Sequence, residues 1–151
     1  MRLSVQMKKI LLTLLKAELD PKFFEGKVEI WHKKDVKMLA KIMKGEISSD
    51  ELVKKSVPQM TKGSLLMVIK PSAITVRQLP DKKQVYIRGS VDFSFSRSLR
   101  RLVKLGLVDV LKEVSPGRHG YLYSLSEKGR TEGHKIRNEI LNMINEFQYL
   151  L

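Results

Sequence analysis

Apolar residues recur at three- and four-residue spacing in several stretches of this chain and alternate with polar ones in others. Met7, Ile10, Leu11, Leu14 and Leu15 form one helical stripe, so a helix is expected over about 4–19, ended by Asp20-Pro21. Val36, Leu39, Ala40 and Met43 form a second stripe, with Asp35 able to cap it and Gly45 just past its end. Ser48 and Glu51 stand at capping-box spacing and predict the start of a third helix. At the far end Ile136, Ile140, Met143, Phe147 and Leu150 are spaced four, three, four, three, the seam of a long helix that packs on another helix.

Two stretches alternate with the period of a strand. DVLKEV and GYLYSLS flank Ser115-Pro116-Gly117-Arg118-His119-Gly120, which predicts a hairpin over about 109–125. ITVRQL and QVYIRG flank Pro80-Asp81-Lys82-Lys83, and their β-branched residues make a hairpin the natural local reading there too. Just before them, SLLMVIK is apolar throughout and suits either a buried helix or a strand.

SFSRSLRRLVKLGLVDV, residues 94–110, carries the most pointed chemistry. On a helix over about 95–105, Leu99, Leu102 and Val103 share one side with Gly106. Arg97, Arg101 and Lys104 lie on another side, with Arg100 between the two, and Ser94 or Ser96 can cap the start. Such a helix is pinned by its leucines and presents cations outward. The hairpin behind it, with Arg118 and His119 at its tip, makes a unit able to straddle a groove.

Charge sharpens that reading. The 151 residues carry 29 Lys plus Arg against 16 Asp plus Glu, a formal +13 that a polyanion would relieve. An apolar fraction of 42% is enough for a packed core. With no cysteine there is no disulfide, thiolate metal site or cysteine nucleophile, which fits a reducing cytoplasm. The opening MRLSVQMKKILLTLLKAELD imitates a secretion signal, but its apolar run is short and broken by Thr13, and no small-residue cleavage site follows. No run approaches the length of a membrane span, so membrane insertion is not expected. His32, His119 and His134 are scattered without metal-ligand spacing, and no phosphate-cradling glycine loop or nucleophile elbow occurs. No catalytic residue, metal or cofactor is therefore assigned, and the chain is not read as an enzyme.

SRSLRRLVKLGLV (96–108) and GYLYSLSEKGR (120–130) resemble the winged helix-turn-helix superfamily, especially the MarR- and PadR-like transcription regulators of bacteria and archaea. The first segment looks like a recognition helix and the strand after it, the second like the closing strand of a wing entering the next helix. The resemblance implies that Ser96, Arg97, Arg100 and Arg101 meet the major groove or its phosphates, and that Arg118 enters or borders a minor groove; Ser94, Lys104 and His119 complete the expected DNA-binding set. It also suggests that 65–79 supplies the first helix and opens the second, from Thr75 to Leu79; a rival placement puts those helices at Asp35–Lys44 and Ser49–Ser56, with a hairpin-bearing insertion between them and the recognition helix.

The expected fold is thus mainly α with a small β component, α+β. It comprises an N-terminal helical extension (1–58), a winged helix-turn-helix domain (59–125) and a C-terminal helix (126–151) whose Ile136, Ile140, Met143, Phe147 and Leu150 pair two chains. The expected function is that of a homodimeric regulator of transcription bound to double-stranded DNA, cytoplasmic, with recognition helices about one DNA turn, ~34 Å, apart. Winged modules that bind RNA or an acidic protein, and a replication or recombination protein, are the alternatives.

Overall fold

Ser4 opens the first helix as the spacing of its leucines requires: its Oγ accepts the Met7 N–H, and α1 (Val5–Leu19) follows. The computed structural model describes the backbone of residues 2–32, 36–46, 48, 56–115 and 118–151, and their side chains except those of 36–39, 113–115 and 118–119. After α1 come a 3-10 turn (Pro21–Phe24), β1 (Trp31–His32), α2 (Val36–Met43), β2 (Pro58–Thr61), α3 (Lys62–Ile69), β3 (Ile74–Gln78), β4 (Lys83–Ile87), α4 (Gly89–Lys104), β5 (Val108–Ser115), β6 (Arg118–Leu125) and α5 (Glu127–Phe147). The architecture is mixed α+β. Gly45 follows α2 with a φ of +74°, the left-handed geometry expected of a helix-ending glycine. Asp35, and the helix expected from Ser49 onward, lie outside the described residues.

Two antiparallel sheets form. One has the order β1–β2–β6–β5, with Met60 opposite Tyr123 and a long β5–β6 ladder from Val108↔Leu125 to Ser115↔Arg118. The other is the separate hairpin β3–β4, with Ile74 opposite Ile87 and Gln78 opposite Lys83. The local hairpin reading of 74–87 holds, and the helical reading of Thr75–Leu79 does not. Pro71 follows the end of α3, and the β-branched Ile74, Thr75, Val76, Val85 and Ile87 then favour strand.

One core joins the helices to the larger sheet. Ile10, Leu11, Leu14 and Leu15 of α1 meet Leu65 and Leu66 of α3, Phe95, Leu99 and Leu102 of α4, Met60 of β2 and Ile136 of α5 in a single cluster. Full burial of each such leucine is worth about 1.5–3 kcal/mol. α1 therefore stands at the centre of the core rather than in an extension, because its apolar stripe is the surface on which α3, α4 and α5 all pack. Among the described residues no helix is long and apolar enough to cross a membrane.

Candidate nucleic-acid interface

α4 is longer than its sequence pattern suggested. It begins at Gly89, with Arg88 at the cap position and no capping side chain; Ser94 and Ser96 both lie inside it. Their hydroxyls face the body of the protein. Ser94 Oγ donates to Gln6 Oε1 of α1 at 3.4 Å, and Ser96 Oγ accepts from Lys62 Nζ of α3 at 3.3 Å. Lys62 Nζ also stands 2.7 Å from Asp92 Oδ1; this is a charge contact only, since that oxygen has no hydrogen-bond donor. The serines expected at a groove thus help to seat the helix.

The opposite face carries the cations. Phe95, Leu99 and Leu102 are buried, while Arg97, Arg100, Arg101 and Lys104 are exposed. Among the described residues none of these four cations has an ion-pair or hydrogen-bond partner. The geometry follows from the helical period of about 100° per residue: three buried apolar positions hold the helix down, and the four cations on its far side project into solvent. Phe93, 73% exposed, continues the outer line one turn ahead of Arg97. The periodicity contained this residue, but the expected helix began too late to include it.

The end of α4 is built for rigidity. Gly106 has a φ of +74°; its N–H donates to Val103 O at 3.0 Å and the Leu107 N–H donates to Leu102 O at 3.0 Å. This paired closure satisfies carbonyls that the last turn leaves free, and the following Leu107 is buried. Ser126 then clasps the same turn: its Oγ donates to Gly106 O at 2.5 Å and accepts the Gly129 N–H at 3.0 Å, capping α5. Lys128 Nζ donates to Leu105 O at 3.0 Å. The helix carrying the cations, the β5–β6 hairpin and α5 therefore share one joint.

On the hairpin, Lys112 and Tyr121 face each other across the ladder and both are exposed. The phenol of Tyr123, next along that face, is pushed up by burial and then by Tyr121, and stays a neutral donor. Arg118 and His119 occupy ladder positions opposite Ser115 and Val114; their side chains lie outside the described ones.

The C-terminal seam divides in two. Ile136 is buried in the chain's own core and is not available to a second chain. At Gly133 this half of α5 lies against Leu15 and Leu11 of α1, and Arg130 makes a bidentate pair with Glu18 at 2.7 and 2.8 Å. That pair raises the Arg130 pKa through its hydrogen bonds. Beyond it Ile140, Met143, Phe147 and Leu150 are exposed. Among the described residues no cluster of His, Asp and Glu could hold a metal ion. Comparison with protein-family models, with curated proteins and with solved structures finds no match to this chain.

Proposed function

We propose that this chain is a winged-helix protein that binds double-stranded DNA, acting as a homodimeric regulator of transcription. The observation that carries the reading is the outer face of α4, where Arg97, Arg100, Arg101 and Lys104 stand exposed and unpaired above a buried leucine stripe. Four unpaired cations on one rigid face repel one another, and a row of phosphates removes that cost while releasing counterions.

The element order lends further support. With β1 and α2 inserted after α1 and the β3–β4 hairpin inserted after α3, the elements α1, β2, α3, α4 and β5–β6 come in the order of three helices, a short strand that pairs with the hairpin, and a wing. In this reading α1 and α3 are the two supporting helices, α4 is the recognition helix in the major groove, and the wing rests on the minor groove or backbone. The exposed Ile140, Met143, Phe147 and Leu150 supply the apolar seam through which two copies associate. Two-fold pairing favours an inverted-repeat site.

The test is selection of bound sequences from a random duplex pool, followed by titration of the recovered duplex against duplex RNA and an acidic protein. Recovery of a shared motif bound more tightly than RNA is the expected result. Equal or tighter binding of RNA or of the acidic protein would overturn the reading in favour of an interaction module. Nicking of the duplex in the presence of a divalent cation would instead indicate a recombination or replication enzyme.

A further inference from the structure

We infer that the β3–β4 hairpin is a second DNA-contacting arm, which grips the phosphate backbone beyond the N-terminal end of α4. The inference rests on the DNA-binding reading above and adds a contact to it. A helix-turn-helix joins its two helices by a turn of three or four residues. Here residues 70–88 separate Ile69 of α3 from Gly89 of α4, and the hairpin occupies most of them. The wing leaves from the C-terminal end of α4, and this hairpin arrives at the N-terminal end.

Its attachment is firm and its outer part is free. Ala73 is buried, Ile74 and Ile87 pack on the core, and the Arg88 N–H donates to Ala73 O at 3.1 Å. Among the described residues the strands beyond pair only with each other. Five residues per strand give an arm of about 17 Å. Its tip is ordered by the Leu79 N–H, which donates to Lys82 O at 2.8 Å, and by Gln78 Nε2, which donates to Leu79 O at 2.9 Å.

The charge of the arm points to its ligand. Arg77, Lys82 and Lys83 on the hairpin, and Lys70 and Arg88 at its base, are all exposed; Asp81 is the one acid among residues 70–88. None of these five cations has an ion-pair or hydrogen-bond partner among the described residues. Lys9 and Lys70 also line a cleft of about 530 Å³ between α1 and the start of α4, so the positive surface continues from the arm onto the body. A neutral insertion beside a recognition helix would merely hinder approach to a duplex. A rigid cationic ribbon, of the kind a major groove or backbone can receive, adds contacts instead.

The deciding experiment is a salt titration of duplex binding by the wild type and by the triple variant Arg77→Gln/Lys82→Gln/Lys83→Gln. All three sites are exposed and the variant should melt at the wild-type temperature. If each residue meets a phosphate, the slope of log K against log salt falls in magnitude by about 2–3, at roughly 0.9 per contact. A hydroxyl-radical footprint should shorten by about 5 base pairs at one end of each half-site, the arm's ~17 Å at 3.4 Å per pair. An unchanged slope and footprint overturns the inference and leaves the DNA-binding reading intact. A wild type that ignores duplex DNA removes both. Should the triple variant melt early, Lys82→Gln alone, at the solvent-facing tip, is expected to lower the slope by about 0.9, and no change there overturns the inference equally.

Discussion

Gly129, in the first turn of α5, lies directly on the backbone carbonyl of Leu107, the residue that leaves α4 for the β5–β6 hairpin. A Cβ at position 129 would stand well inside contact distance of that oxygen, which cannot swing aside as a side chain could. The same Leu107 carbonyl accepts the Ser126 N–H at 3.1 Å. α4, the β5–β6 hairpin and α5 are thus held in register by a backbone-to-backbone approach that only glycine permits.

Gly129→Ala is therefore expected to destabilise the protein by about 1–3 kcal/mol or more, read as a lower urea midpoint at unchanged slope. Gly133→Ala, one turn further on, is expected to do the reverse. Its Cβ would meet Leu15 Cδ2 at an ordinary 3.5 Å, and the gain in helix propensity is about 0.5–1 kcal/mol. Equal losses at both sites would contradict the close approach.

Arg101→Ala is expected to weaken binding to the selected duplex by about 1–3 kcal/mol and to relax preference at one base position. A loss uniform over all sequences assigns Arg101 to a phosphate. Loss of affinity on Ser96→Ala is expected only if α4 itself shifts, since that hydroxyl is turned toward Lys62.

Met143→Glu with Phe147→Glu is expected to convert a dimer into a monomer in sedimentation without lowering the helical signal of the chain. Both side chains are exposed, so their replacement removes nothing from the chain's own core. Ile136→Ala, by contrast, should cost about 2–5 kcal/mol of stability, because it empties a filled place beside α1.

His32 supplies a pH test. Burial holds its pKa below the ordinary 6.5, and its Nδ1 stands 3.0 Å from Ser56 Oγ. The unfolded chain takes up the proton first as pH falls below 6.5, so this site contributes stability above that pH and loses it as pH drops through the lower folded value. Denaturation midpoints should accordingly fall between pH 7 and 5, and His32→Gln should flatten part of that fall.

The sequence by itself determined the elements whose order is local. The cationic strip of α4, the β5–β6 hairpin and the seam of α5 are legible because each is a period of 3.6 or 2 written over neighbouring residues. The strip is the clearest case: four cations and the leucines opposite them specify both faces of one helix without reference to any other. Tertiary structure decided which surface each apolar stripe covers. Periodicity says that α1 has a greasy side but not that α3, α4 and α5 converge on it, and it says that Ile136 is apolar but not whether its own chain or a second one buries it. Ser94 and Ser96 read equally well as caps or contacts until Gln6 and Lys62, distant in sequence, arrive beside them. SLLMVIK, residues 64–70, fits helix or strand by pattern, while the hairpin beyond Pro71 is legible locally and is fixed when Ile74 finds Ile87. Local chemistry sets what a segment can be, and partners brought together from afar select among those states.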